Sequence, residues 1–291
     1  MRRIVKWTFL LIALALMGAL AVLSQWNSKN KLLSLPRELH EISGMEFDRS
    51  GDLWAVNDGG NSVELHQIDS SGGIGRSIRI SNAQNVDWED MTQDEQGHFF
   101  VGDFGNNKKD RTEFSVYKVE NPADIRGEAT RAEVIRFRID NAYPGNSEQS
   151  SAAFDVEAFV FYRGSLYLFS KNRSRPFDGF TNLYRLEGNT TEKTARLVSR
   201  FQTCLSGRFR CWVTGAALSP DRKKLALLGS NRIWVFRDWT GNDFFTGSVE
   251  EIDLGMITQK EAIAFKNDST VVLSDENFLG IGGNLYTYAV D

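Results

Sequence analysis

Five stretches of the chain share one arrangement of apolar and polar positions: a short apolar strand, a polar turn and a second apolar strand that closes on a polar residue. They are ISGMEFDRSGDLWAVND (42–58), WEDMTQDEQGHFFVGDF (88–104), VEAFVFYRGSLYLFSKN (156–172), TGAALSPDRKKLALLGS (214–230) and KEAIAFKNDSTVVLSDE (260–276), and they align without gaps. The position of Glu89 in the second stretch falls at Ser43, Glu157, Gly215 and Glu261 in the others, with spacings of 46, 68, 58 and 46 residues. A strand-rich unit repeated at this period marks a propeller, with loop insertions accounting for the longer intervals.

Each hairpin is followed by two further strand-like segments, such as VELHQID and GRSIRI after the first and FSVYKV and EVIRFRI after the second. The last hairpin is followed by one alone, NLYTYAV, and the missing outer strand is supplied by NKLLSLPREL (30–39). An N-terminal strand that completes the C-terminal blade leaves no open sheet edge between the chain ends. The predicted fold is therefore all-β: a β-propeller of five four-stranded blades over 32–291. A sixth blade would need a further, degenerate repeat in the longer insertions.

In a propeller the first strand of each blade runs down beside the axis and the second climbs back, so residues opening the first and closing the second meet at one end. That end collects Glu41, Ser43, Asn57 and Asp58 from the first blade and Asp87, Glu89 and Asp103 from the second. The third adds Asp155, Glu157 and Lys171, the fourth Thr214 and Ser230, and the fifth Gln259, Lys260, Glu261 and Asp275. Carboxylates converging on one pocket repel unless a positive charge sits among them. A hard cation held by oxygen ligands meets that need, and Ca2+ suits a flexible ring of carboxylates and amides better than Mg2+. The predicted ligand set is Glu41, Asn57, Asp58, Asp87, Glu89, Asp103, Asp155, Glu157, Glu261 and Asp275. The competing reading is that these acids are solvated or cap backbone amides, with Lys171 supplying a salt bridge.

The first residues change the picture of where this domain works. Arg2, Arg3 and Lys6 precede a run at 8–24 that carries no charge and is long enough to cross a bilayer as a helix. The expectation is a basic cytoplasmic segment over 1–6, a signal-anchor helix over 7–24 attaching the protein to the membrane, a linker over 25–31 and the propeller beyond, in the bacterial cell envelope. Ala19-Leu20-Ala21 offers the alternative of a cleaved signal peptide. The formal net charge is −4, or −7 without those three basic residues, which argues against a nucleic-acid partner. Cys204 and Cys211 are the two cysteines, and an oxidising compartment predicts a short-loop disulfide between them, two buried thiols being the alternative.

ISGM, LWAVNDGG, VDWEDM, VGDFGNN with Arg111, FDVEAF, VTGAALSPD and KEAIAF follow one another through all five repeats. In that order they resemble the motifs of a group of largely uncharacterised exported bacterial β-propeller proteins. One departure is Asn106, where that group carries Asp, which weakens any cation site at the loop. In architecture the chain is more distantly similar to gluconolactonase and paraoxonase propellers, which hold an axial calcium with Glu, Asn and Asp and hydrolyse lactones or esters.

Two functions follow. One is a binding or scaffolding module whose cation ties the blades together and whose ligand is a small molecule or an envelope protein. The other is a calcium-dependent hydrolase of esters, lactones or phosphoesters, in which Glu157 or Glu261 activates water and Lys171 steadies a developing oxyanion. No GxSxG, HExxH or Walker loop is present. The basic run 222–224 reads as a solvated hairpin tip, and Trp54, Trp88 and Trp212 as packing between blades rather than a stacking platform.

Overall fold

The structure is a computed structural model, described for residues 30–108, 110–140, 155–187, 193–255 and 257–291. It is a β-propeller. Strand β1 (Lys31–Ser34) precedes a first unit made of β2 (Ile42–Phe47), β3 (Leu53–Asn57), β4 (Glu64–Ile68) and β5 (Ile74–Ile80). The second unit holds β6 (Trp88–Gln93), β7 (Phe99–Asp103), β8 (Phe114–Val119) and, after the two-residue β9 (Ala129–Thr130), β10 (Glu133–Ile139). The third is β11 (Asp155–Tyr162), β12 (Ser165–Lys171), β13 (Phe180–Glu187) and β14 (Thr194–Gln202). The fourth is β15 (Gly215–Leu218), β16 (Lys224–Gly229), β17 (Arg232–Arg237) and β18 (Ser248–Asp253), and β19 (Lys260–Asn267), β20 (Thr270–Asp275) and β21 (Asn284–Ala289) begin the last.

Within each unit the strands pair antiparallel in chain order, and β1 adds to β21 to complete the last. This closing strand is shorter than the segment 30–39 that predicts it. Pro36 cannot donate to a ladder, and a 3-10 turn at Arg37–Leu39 follows, burying Leu39. Two short parallel pairings were not foreseen: β5 with β9, and β10 with β14, the latter joining the second and third units at their outer edges.

The hydrophobic core is distributed between units. Val56, Trp88 and Val101 belong to the cluster between the first and second, and Phe100, Phe104 and Phe159 to that between the second and third. Tyr167, Leu227 and Trp234 fill the next, Leu228, Ile263 and Leu273 the next, and Ile42, Met45 and Ala262 the one that returns to the first unit. Each large apolar side chain buried there contributes about 1.5–3 kcal/mol, so the ring is held by face-to-face packing.

The axis is bridged by side chains. Asp90 is fully buried, and its carboxylate accepts N–H groups from Met91 at 2.8 Å, Phe159 at 3.1 Å and Ala216 at 3.3 Å. Those donors lie on three inner strands, β6, β11 and β15, whose axial edges have no sheet neighbour. Below it Thr92 Oγ1 accepts from Phe161 N–H, and Arg222 donates to the carbonyls of Phe161 and Gln93. Arg222 is thus a plug at the base of the channel, which corrects its reading as a solvated tip.

The expectation of a membrane-spanning N-terminal helix is also corrected. Among the described residues no helix is long and apolar enough to cross a membrane, and the run at 8–24 that prompted the expectation lies outside them. Attachment through such a helix is not carried forward.

Asp90→Ala leaves three buried N–H groups without an acceptor, each costing about 1–3 kcal/mol. Urea unfolding is expected to show a loss of at least about 3 kcal/mol, with Asp90→Asn, which keeps one acceptor oxygen, losing less. A loss under about 0.5 kcal/mol for the alanine variant would remove Asp90 from its role as axial tie.

Candidate metal centre

The upper ends of the inner strands share a local distortion. Pairing between β2 and β3 shifts register between Ile42 and Gly44, leaving Ser43 unpaired, and β6 does the same at Glu89, β11 at Glu157 and β19 at Glu261. A bulge inserts one residue and re-aims its side chain. The device therefore acts at four of the five aligned anchors. At the fifth, Gly215, a Cβ would lie 2.8 Å from the Glu261 carbonyl oxygen, so the close approach of β19 requires glycine.

Three of the predicted ligands come together. One carboxylate oxygen each from Asp58, Asp87 and Glu89 lies within 4.8 Å of the others. A cation bound at 2.3–2.6 Å separates opposed ligands by up to about 5 Å, so this spacing fits calcium without rearrangement. Gly105 explains how the loop reaches them: a Cβ there would fall 2.0 Å from Glu89 Oε1 and 2.4 Å from Asp87 Oδ2. Asn57, which precedes Asp58, donates Nδ2–H to the Glu38 carbonyl at 2.8 Å, while its buried Oδ1 has no hydrogen-bond partner.

Other predicted ligands are engaged elsewhere. Asp103 pairs with Arg111 Nη2 at 2.9 Å and also accepts the Asp87 N–H. Asp155 holds Arg173 Nε and the Asn106 N–H, and Glu157 Oε2 takes Lys171 Nζ at 2.7 Å. Glu157 Oε1 is buried with no hydrogen bond, 3.6 Å from Arg173 Nη2. Asp275 is buried and accepts from Tyr286 OH and Asn284 N–H, and the exposed Glu41 accepts from Asn61. Glu261 is half-buried, with no lysine, arginine or histidine among the described residues within ion-pair distance.

The electrostatics follow from this census. Burial pushes Glu89 well above the ordinary carboxylate range, and the charges of Glu157 and Asp58 add to it. Burial, then Asp58, raises Asp87 to about 6, and burial raises Asp58 as well. Glu261 is pushed up to about 7 by burial, although Lys171 pulls it down, and Glu276 to about 8 by burial and then Glu261. At the Glu157–Lys171 contact, burial alone would drive both groups toward neutrality. The acids around it, Glu157, Glu261 and Glu89, outweigh that for Lys171 and hold its pKa above the usual value, so the lysine stays charged, while burial keeps Glu157 well above the ordinary carboxylate range.

Sequence reasoning missed Asp90, Glu276 and Arg173. Asp90 lies inside a strand where the alternation is broken by the bulge, and no local signal betrays it. Arg173 could have been found, because it follows Lys171 by two residues at the end of the same hairpin. The tryptophans divide: Trp54 and Trp88 are core, whereas Trp212 is half-buried at the mouth with Lys171 and Arg173 over its ring, 5.2 and 4.9 Å from the centroid.

No known family profile and no curated protein matches the chain by sequence. Among solved structures, a protein assigned to the gluconolactonases superposes with a TM-score of 0.50 at 14% identity, covering 88% of this chain and 78% of its own. The PQQ-bound aldose sugar dehydrogenase of Streptomyces coelicolor gives 0.50 at 10% identity over 89% of this chain and 97% of the other. A gluconolactonase of Xanthomonas campestris gives 0.47 at 12% identity over 86% and 72%. At these identities the likeness establishes the propeller fold and leaves activity to the site itself.

Proposed function

We propose that the protein is a cation-binding propeller in which Asp58, Asp87 and Glu89 hold a divalent ion, calcium in preference to magnesium, and that the loaded mouth serves as a ligand- or protein-binding module. The observation that carries this reading is the trio itself. Its three oxygens lie within 4.8 Å of one another, while the neighbouring cations Arg111, Lys171 and Arg173 are already paired with Asp103, Glu157 and Asp155. The buried Oδ1 of Asn57, which precedes Asp58 in the chain and has no hydrogen bond, supports an additional neutral ligand. The disulfide between Cys204 and Cys211 supports work in an oxidising compartment.

A hydrolytic reading has one specific observation in its favour. Glu261 is half-buried, has no ion-pair partner among the described residues, and is pushed to about 7 by burial, which suits a general base near neutral pH. Glu157 is less suited, because Lys171 holds it. In this reading an ion held by Asp58, Asp87 and Glu89 would supply Lewis acidity toward a carbonyl or phosphoryl oxygen, and Glu261 would take the proton of water.

Titration calorimetry of the chelator-treated protein is expected to show calcium binding that Glu89→Gln weakens at least tenfold, about 1.4 kcal/mol. At calcium a hundred times its Kd the gain is about 2.7 kcal/mol, read as a rise in Tm of roughly 5–10 °C. No calcium heat and no shift would remove the cation. Turnover of a lactone, ester or phosphoester that is lost on chelation and in Glu261→Gln would decide for the hydrolase, and a silent panel for the binding module.

The pH dependence has a definite sign. Glu89 and Asp87 titrate higher in the folded than in the unfolded chain, so the apo fold binds more protons and loses stability as pH rises. The apo Tm is therefore expected to fall from about pH 4 to about pH 6 as Asp87 titrates and further as Glu89 follows, and calcium to abolish the fall while its own affinity rises over the same range. An apo Tm that climbs with pH would contradict the uncompensated trio.

A further inference from the structure

Of the ten large apolar side chains exposed among the described residues, three lie on the outer strands β1, β14 and β18. The other seven all sit on links at the mouth end. These are the connections from β5 to β6 (81–87), β14 to β15 (203–214), β18 to β19 (254–259) and β20 to β21 (276–283). The opposite end, built from the turns inside the hairpins, contributes none of them. Monomeric surfaces scatter such residues singly, and a gathering at one face marks an interaction site.

Two of these links are braced. In the last one, Phe278 and Ile281 exchange backbone hydrogen bonds of 2.9 and 3.0 Å, closing a tight turn whose tip is Leu279 and Gly280. Leu279 has φ +52° and is 88% exposed. A leucine in the left-handed region strains the backbone where Asn or Gly would not, and its side chain gains no burial in return. In the second link the disulfide ties Cys204 to Cys211 and holds out Leu205 and Phe209. Phe209 packs on Trp212 at 5.3 Å, the ring that also carries Lys171 and Arg173, so the apolar rim is continuous with the mouth.

Charge selects the occupant. Glu276, at the root of the Leu279 turn, is fixed beside Gln259 by its own N–H and by Gln259 Nε2, and among the described residues neither it nor Glu261 has a cation within ion-pair distance. A second copy of this chain would bring one acidic mouth against another. A small molecule on the axis would leave rim residues on four separate links uncovered. We propose that the mouth face docks an extended protein segment carrying a lysine or arginine flanked by bulky apolar residues, which cover the 278–281 turn and the disulfide loop while the cation enters beside Glu276 and Glu261. This inference rests on the binding-module reading of the mouth and not on the metal: the charge of Asp58 reaches Glu276 and Glu261, but the docking needs no ion at the trio.

The test uses the immobilised full chain and a random peptide library, followed by calorimetry of the best synthetic peptide. The library is expected to enrich sequences with Lys or Arg between aromatic or aliphatic residues. Leu279→Gly, which removes the side chain and relaxes the turn, should weaken the peptide about tenfold with no loss of Tm. At about pH 9, where the Glu276 carboxyl is charged, Glu276→Gln should weaken it several-fold and flatten its salt dependence. Enrichment of nothing, enrichment of peptides without a basic residue, or affinity indifferent to both variants would overturn the proposal. So would a dimer of the full chain, seen by sedimentation, that Leu279→Gly dissociates.

Discussion

Every unit of this propeller turns one strand edge toward the axis, where no neighbouring strand can pair with it. Backbone groups on such an edge need partners, because a buried, unpaired N–H costs as much as a lost hydrogen bond. The chain meets this with three side chains stacked down the channel: Asp90, Thr92 and Arg222, each reaching across from one inner strand or turn to another. The buried carboxylate of Asp90 is tolerable only because three donors surround it, and burial still drives its pKa well above the ordinary range. With the lower channel closed in this way, the axial space that remains is at the mouth, and the bulges aim three glutamates there.

Much of this was legible. The gap-free alignment at 14-residue spacing between Glu89 and Asp103 finds the hairpins, and the unpaired NLYTYAV finds the closing strand, since a missing strand must come from the other end of the chain. The acids were legible as a group for the same reason: equivalent positions in a repeat arrive at equivalent places. Their individual fates were not. Asn57 and Asp103 close equivalent strands, yet Asn57 keeps a buried Oδ1 without a hydrogen bond while Asp103 is held by Arg111, eight residues downstream on a loop whose path no periodicity encodes. The bulges were invisible as well. A strand read at period two would have Glu89 and Asp90 on opposite faces, whereas the inserted residue sends Glu89 to the mouth and Asp90 into the axis.

The two ends of the molecule show that acid count alone says little. Turns at the base carry aspartates in plenty, but Asp48 is satisfied by the N–H groups of Ser50 and Asp52 and by Trp54 Nε1, and Asp94 by Gln96 and His98 N–H with Lys118 beside it. These acids stabilise hairpins and have little capacity left for a ligand. At the mouth the bulges withdraw carboxylates from backbone donors, and the available arginines and lysine are taken up pairwise. What remains is negative charge fixed in place by the packing of the units and unable to relax by moving apart. Such a site needs little ordering when a cation arrives, because the inter-unit cores already bear the repulsion that the ion would relieve. The same rigidity extends to the rim, where a disulfide and a hydrogen-bonded turn hold apolar side chains in water against the tendency of flexible loops to fold over them. Acidic centre and apolar border are thus sustained by one cause, a ring too firmly packed to collapse onto its own mouth.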